Sequence, residues 1–315
     1  MSVIVPFYNV ESYAAQTLRS LAVNAAPGIE FVLVDDGSSD ATPAILAEAV
    51  DHLPGATLVT QPRNRGLAAA RNTGMAASKG RYLTFLDGDD VAAAGYFPAL
   101  LAAITELGCD FVRTDHVQVR GRERSVHRVP YGPRGVVAPP RRGIGGVGHR
   151  SSVDAPNAWA GVCDRRLLDS GVMLFDERLR TCEDRPWIWQ LHLHAESFAV
   201  VSLLGVRYRR EVAASLTQIA DERQFDYIPA FEGIIAAVRA DREAERFMPK
   251  ALRSYCAMVC HHINQLDRYE TALGQRLVAL TAASLGRLPT AELDEAVARL
   301  DPERAQLVRE LRSAA

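Results

Sequence analysis

The chain has 315 residues, which is enough for one large domain or for one domain with a helical extension. It is 48% hydrophobic and 23% charged, and its formal net charge of −2 gives no reason to expect nucleic acid as a partner. Five cysteines without paired spacing indicate free thiols, and neither a signal peptide nor an apolar run of about 18 to 20 residues is evident. These features predict a cytoplasmic protein, with peripheral contact at the inner face of a membrane left open.

Strands and helices alternate over the first part of the chain. Buried apolar runs predict four strands, at residues 2–5, 30–35, 56–60 and 82–86. Amphipathic or alanine-rich segments between them predict helices. This alternation is typical of a parallel sheet with right-handed crossovers, and open sheets of this kind bind ligands at the carboxyl ends of their strands.

Three carboxylates stand within four positions directly after the fourth predicted strand. They are Asp87, Asp89 and Asp90, and Gly88 separates the first two. Such a pair offers the oxygen ligands that a hard divalent cation prefers, although Asp-Gly is also turn chemistry. Asp36, at the end of the second strand, favours a nucleotide-type site at this edge. A dehydrogenase-type Rossmann site is excluded because no Gly-x-Gly-x-x-Gly follows the first strand, and a P-loop is absent too.

Residues 120–150 have an unusual composition, with eight arginines against one acid and many Gly and Pro. Such a segment does not fold by itself, so we expect a basic, flexible surface loop. The alternative is a lid or cradle for an anionic acceptor. Residues 219–315 carry a helical pattern to the end of the chain. This region could build the acceptor site, a homo-oligomer interface or a membrane contact, but the lack of a sustained heptad pattern favours packing against the preceding domain.

A second acidic pair, Glu183-Asp184, precedes a predicted helix, where the helix dipole already favours acids. The presence of the first acidic cluster favours a functional interpretation of this pair. Sugar transfer from a nucleotide requires a cation to neutralise the departing diphosphate and a carboxylate to take the proton of the attacking hydroxyl. The chain offers one acidic cluster for each task.

Five sequence blocks, in this order, resemble the family 2 glycosyltransferases with the GT-A fold. They are SVIVPFYN (2–9), VDDGSSDAT (34–42), NRGLAAARNTG (64–74), FLDGDD (85–90) and CED (182–184). The resemblance implies an α/β GT-A domain over residues 1–218, with a Rossmann-like, mostly parallel sheet flanked by helices. It also implies inverting, metal-dependent transfer from a nucleoside-diphosphate sugar, with UDP favoured, to a hydroxyl of a cell-envelope polymer, a glycan or a lipid-linked acceptor. A nucleotidyltransferase and a non-catalytic sugar-nucleotide-binding module are the alternatives.

The resemblance also implies roles for residues of the donor site. Pro6 and Tyr8 would border the nucleoside, and Glu11 would reach it. Asp36 would accept a hydrogen bond from the base, and Arg71 would contact the nucleotide.

The two acidic clusters receive the metal and the catalytic roles. Asp87 would face ribose or metal, with Gly88 beside it, and Asp89 would ligate Mn²⁺ or Mg²⁺. Asp184 is the expected general base, and Glu183 would shape the sugar pocket or the metal shell.

Phosphate contacts are expected from Arg209, Arg210 and Ser215, where the family often has a histidine between the basic residues and the serine. This chain has Glu211-Val-Ala-Ala there instead. Trp159 is the expected platform for a sugar ring, because it lies in the loop before the catalytic pair.

Overall fold

One mixed sheet forms the centre of the molecule. The computed structural model describes residues 1–210 and 219–314, and in that part of the chain the sheet has nine strands. They are β1 (Ser2–Phe7), β2 (Glu30–Asp35), β3 (Ala56–Thr60), β4 (Tyr82–Phe85), β5 (Val91–Ala92), β6 (Phe111–Arg120), β7 (Glu123–His127), β8 (Gly161–Asp164) and β9 (Phe198–Arg209). Their order is β3-β2-β1-β4-β8-β6-β9-β5, and β7 pairs with β6.

Within residues 1–210, six helices flank the sheet. They are α1 (Glu11–Ala22), α2 (Thr42–His52), α3 (Leu67–Ala77), α4 (Tyr96–Leu107), the single-turn α5 (Arg166–Asp169) and α6 (Asp184–His194). Strands β1 and β4 are buried along their whole length, as expected for strands covered on both faces.

The first half of the sheet is parallel, as the sequence predicts. Strand β1 lies between β2 and β4, and β2 pairs with β3, all in parallel. Crossover helices connect these strands, so their carboxyl ends meet at one edge. Asp36 follows β2 and Asp87 follows β4 closely, which brings both to that edge.

The second half departs from the expected mostly parallel arrangement. Strand β8 runs antiparallel to both β4 and β6, β9 is parallel to β6, and β5 is antiparallel to β9. Strand direction depends on the connecting segment, and the irregular connections of this half give no periodic signal in the sequence. The sheet is therefore mixed.

The expected flexible loop at 120–150 contains defined structure instead. It includes β7, which forms a hairpin with β6. Arg134 lies 2.8 Å from the buried Asp115, and Arg141 lies 2.7 Å from Asp241 of the C-terminal region. The composition of the segment is misleading because the acids that pair with Arg128, Arg134 and Arg141 lie elsewhere in the chain. Arg141 is thus a structural residue, and not part of an open acceptor cradle.

Five helices follow residue 219 in the described part of the C-terminal region. They are α7 (Tyr227–Arg239), α8 (Ala244–Ile263), α9 (Thr271–Gly286), α10 (Thr290–Val297) and α11 (Pro302–Ser313). Helix α7 packs against α6 and α8, and α8 packs against α10 and α11. The region therefore packs on the sheet-containing part. Within the described residues, none of the helices combines the length and apolar character needed to cross a bilayer.

Candidate active site

One buried arginine joins the two acidic clusters. Arg71 of α3 places one terminal nitrogen 2.8 Å from Asp87 and the other 2.8 Å from Glu183. Burial alone would lower the pKa of Arg71, but the charges of the two carboxylates raise it, so the guanidinium stays charged. The structure thus brings together residues 112 positions apart. Both terminal nitrogens of Arg71 thus contact carboxylates. The expected contact of Arg71 with the nucleotide stays a prediction.

Gly88 occupies a position where a side chain does not fit. A Cβ atom there would lie 2.6 Å from the carbonyl oxygen of Pro6 and 2.6 Å from a ring carbon of Phe7. The backbone amide of Gly88 donates to the same carbonyl at 3.1 Å. The segment between Asp87 and Asp89 therefore crosses directly over the end of β1, and only glycine permits this close approach.

The acids of the first cluster have different environments. Asp90 is fully buried, and one of its carboxylate oxygens accepts from the backbone amide of Arg209 at 2.8 Å. Its other oxygen has no hydrogen-bond partner in the described part of the chain. Asp89 is half-buried, and burial together with the nearby charge of Asp87 raises the pKa of Asp89 to about 6.

The donor set of this cluster fits a hard divalent cation. Asp87 and Asp89 supply oxygen ligands, and a bound cation would relieve the repulsion between their charges. Among the residues that the structure describes, no group of three or more His, Cys, Asp or Glu side chains could hold a metal. A cation here would complete its shell with phosphate and water oxygens, as Mg²⁺ commonly does.

The second cluster lies at the start of α6. Glu183 is buried and paired with Arg71, and burial raises its pKa to about 7 although the charge of Arg71 opposes the shift. Asp184 is half-buried, and burial also raises its pKa. Its carboxylate accepts no hydrogen bond from any other described residue. Of the two acids, Asp184 is the one whose carboxylate is not already engaged by a described residue.

Asp36 is buried and holds the turn that begins α3. Its carboxylate accepts from the backbone amides of Arg65 and Gly66, each at 2.8 Å, and from the side chain of Gln61 at 3.0 Å. A carboxylate has about four lone-pair sites, and three hydrogen bonds are accepted here. About one site therefore remains for the expected hydrogen bond from the nucleotide base.

The residues expected around the nucleoside differ in accessibility. Pro6 is buried in β1, whereas Tyr8 is 44% exposed. Glu11 accepts a hydrogen bond from the backbone amide of Ala41 at 2.8 Å, and its own amide donates to Asp40. Glu11 therefore joins the starts of α1 and α2, which accounts for its position without a ligand.

Trp159 is not an open platform in this structure. It is only 4% exposed, and its ring packs against His116 and Tyr208. Trp159 lies in a turn two residues before β8, as the sequence predicts, but its ring is part of the core.

The expected phosphate-binding residues are only partly placed. Arg209 donates to Gln16 of α1 at 2.6 Å and lies over the ring of Tyr13. Arg210 donates to the hydroxyl of Tyr208 at 3.2 Å. Ser215 lies outside the described residues.

One contact at the site is invisible in the sequence. Asp226, from the C-terminal region, accepts hydrogen bonds from the backbone amides of Arg180 and Thr181, just before Glu183 and Asp184. Nothing in the sequence distinguishes this aspartate from an ordinary acid at a helix start, because its partners lie about 45 positions earlier.

A mixed α/β sheet with two acidic clusters at its edge is the architecture of GT-A-type proteins. Solved structures support this fold. S. aureus TarS 1-349 in complex with UDP matches 99% of this chain and 86% of its own, with a TM-score of 0.74 at 20% identity. The complex of the same fragment with UDP-GlcNAc matches with a TM-score of 0.76.

Residues 2–146, a little under half of the chain, match the model described as "Glycosyl transferase family 2". An uncharacterized glycosyltransferase of Bacillus subtilis, EpsJ, is 29% identical over 70% of this chain and 63% of its own length. The succinoglycan biosynthesis protein ExoO of Rhizobium meliloti is 30% identical over 58% of this chain and 52% of its own length. The chain thus spans between half and two thirds of these two relatives.

Proposed function

We propose that this protein is an inverting glycosyltransferase that moves a sugar from a nucleoside-diphosphate sugar to an acceptor hydroxyl, with Mn²⁺ or Mg²⁺ as cofactor. The observation that carries the proposal is the contact of one guanidinium, that of Arg71, with a carboxylate from each acidic cluster at 2.8 Å. This contact supports a metal-diphosphate site and a general base side by side, as a single displacement requires.

In the proposed reaction, Asp184 accepts the proton of the acceptor hydroxyl while the oxygen forms a bond to the anomeric carbon. The bond between that carbon and the diphosphate breaks, its electron pair leaves with the diphosphate, and the configuration inverts. A divalent cation held by Asp87 and Asp89 would neutralise the charge that develops on the leaving group. Glu183 stays paired with Arg71, which fixes the backbone that presents Asp184.

The comparisons support particular substrates. The TarS structures named above contain UDP or UDP-GlcNAc, which favours a UDP-linked donor. ExoO is named for succinoglycan biosynthesis, and GgaA of Bacillus subtilis, 25% identical over 66% of this chain, is named for minor teichoic acid biosynthesis. We therefore favour an acceptor in a cell-envelope or extracellular polymer.

An anionic acceptor is favoured by the hairpin of β6 and β7. Arg120, Arg122 and Arg124 are exposed there and form no ion pair with another described residue. The backbone of β6 next to them bonds to that of Arg210, so the hairpin stands beside the expected phosphate-binding residues. Exposed arginines attract phosphate or carboxylate groups of a polymer.

The first experiment screens UDP-sugars for binding with and without Mn²⁺, and then measures transfer by Asp184→Asn. This substitution keeps the shape of the side chain but removes the base. We expect kcat to fall by about 10²- to 10⁴-fold while donor affinity changes only a few-fold. Asp294→Asn, an exposed acid of α10, is the matched control and should keep full activity.

Four results would contradict the proposal. Full transfer by Asp184→Asn would remove Asp184 from the mechanism. Release of pyrophosphate would indicate nucleotidyl transfer, and donor binding without turnover by the wild type would indicate a non-catalytic module. A product with retained anomeric configuration would exclude a single displacement.

A further inference from the structure

The turn before the catalytic pair has an unfavourable backbone conformation. Cys182 has a φ angle of 59°, in the left-handed region that residues with a Cβ atom rarely adopt. Glu183 and Asp184 follow it directly. Such a conformation persists only where the surrounding structure holds it. The groups that hold this turn therefore determine where the two acids lie.

The C-terminal region supplies three hydrogen bonds to this turn. One carboxylate oxygen of Asp226 accepts from the backbone amide of Arg180 at 2.5 Å and from that of Thr181 at 3.2 Å. The buried hydroxyl of Thr181 donates to the carbonyl oxygen of Arg223 at 2.6 Å. Both C-terminal residues lie in the 3₁₀ turn Glu222–Asp226, directly before α7.

Asp226 is not used as an ordinary helix cap. It occupies the N-cap position of α7, where an aspartate usually accepts a hydrogen bond from the first turn of its own helix. Here its side chain makes no such bond. It reaches instead to amides 46 and 45 positions earlier in the chain. Its carboxylate is directed at the turn before the acids.

The side chain of Arg180 continues the connection toward the nucleotide edge. Its guanidinium donates to the carbonyl oxygen of Arg65 at 2.7 Å and to the side chain of Asn64 at 2.5 Å. The backbone amides of Arg65 and Gly66 are in turn donors to Asp36. The turn that presents the catalytic acids is thus tied to the loop that Asp36 organises.

We propose that Asp226 is a positioning residue for sugar transfer, which holds the turn 180–182 so that Asp184 meets the acceptor hydroxyl. The proposal rests on the proposed function and adds that the C-terminal helical region belongs to the architecture of the active site. Asp226 acts through the backbone and touches no substrate. Because misplacement of a base by about 1 Å costs on the order of 10²-fold in rate, its loss should affect turnover more than donor binding.

The test compares Asp226→Ala with Asp226→Asn. The asparagine keeps an oxygen that can accept both amide hydrogen bonds, and Asp226 is half-buried, so its new NH₂ group can reach water. Asp301→Ala is the matched control, because Asp301 caps α11 by accepting from the amide of Arg304. Hydrogen exchange of residues 180–184 and the kinetics of transfer are measured for all variants that remain folded by circular dichroism.

We expect Asp226→Ala to accelerate exchange at the amides of Arg180 and Thr181 and to lower kcat by about 10- to 100-fold, with the donor KM within threefold. Asp226→Asn should restore most of both properties, and Asp301→Ala should change neither. If Asp226→Ala does not fold, Thr181→Val replaces it, since it removes one of the three hydrogen bonds without changing the volume of the side chain. We then expect a smaller decrease of kcat and faster exchange in the same segment.

Unchanged exchange of residues 180–184 in the alanine variant would overturn the proposal, and so would an equal loss of kcat in Asp301→Ala. Faster exchange together with a wild type that transfers no sugar would leave the support by Asp226 intact and refute the proposed function. The exchange measurement therefore separates the two failures.

Discussion

The two halves of the sheet place side chains at the same edge in different ways. In the parallel half, crossover helices connect β1 to β4 in chain order, and Asp36 and Asp87 lie within two positions of the ends of their strands. In the mixed half, the position of a side chain depends on partners far away in the chain, such as Asp115 with Arg134 or Thr181 with Arg223. The structure of the parallel half can be predicted from local sequence patterns. That of the mixed half depends on contacts that form only in the folded protein.

The largest effect is expected where the two halves meet. Arg71→Met removes the positive charge between Asp87 and Glu183 and leaves both carboxylates without the guanidinium that pairs with them. Breaking a buried ion pair in this way costs about 3 to 5 kcal/mol, so we expect a decrease of about 3 kcal/mol or more in the free energy of unfolding. Denaturation with urea measures it.

Arg178→Met is the control for this substitution. Arg178 pairs with Asp176, but its side chain is 89% exposed, so its removal should leave the free energy of unfolding close to that of the wild type. Equal losses in the two variants would mean that Arg71 does not connect the two halves.

An intermediate effect on stability is expected from a substitution within the parallel half. Gly88→Ala places a Cβ atom against the carbonyl oxygen of Pro6, so the segment from Asp87 to Asp89 must move away from β1. Overpacking of this kind costs about 1 to 3 kcal/mol. Thermal unfolding should show a lower Tm, and titration should show weaker binding of Mn²⁺ with nucleotide.

Gly233→Ala provides the opposite control. Gly233 is an exposed residue of α7, and no heavy atom lies within 4 Å of the added Cβ. Alanine favours the helix by up to about 1 kcal/mol, so this variant should be slightly more stable than the wild type. A destabilised Gly233→Ala, or an unchanged Gly88→Ala, would contradict the steric argument.

The smallest effect on stability is expected at the hairpin of the mixed half. The double substitution Arg122→Glu and Arg124→Glu should leave the free energy of unfolding within about 0.5 kcal/mol of the wild type, because both side chains are exposed. If the acceptor is anionic, its KM should rise several-fold at low salt, and the increase should shrink as salt screens the charges.

A double substitution with the same change of charge at Arg242 and Arg309, which are exposed in the C-terminal region, should leave the acceptor KM unchanged. An equal increase in both double variants would show that only net charge matters. No increase in either would remove the hairpin from acceptor binding.

The sequence predicts the parallel half well, because strand periodicity and the acids after each strand are local features. It predicts the helical character of the C-terminal region too, but not the boundary between α10 and α11, where Pro302 opens the second helix. It does not predict that Trp159 is buried or that Arg141 pairs with Asp241, since both depend on the path of the mixed half. The contact of Asp226 with the turn at 180–182 is a long-range contact of the same kind.

The buried Lys250 of α8 has a consequence for protein engineering. Its side chain is wholly enclosed, and its ammonium group contacts Asp154 at 2.5 Å and the carbonyl oxygen of His149 at 3.0 Å, both about a hundred positions earlier. A fragment that ends at residue 218 would leave Asp154 without this partner. We therefore expect a chimera that exchanges the C-terminal helices between relatives to be more stable when it carries the residues at positions 154 and 250 as a pair.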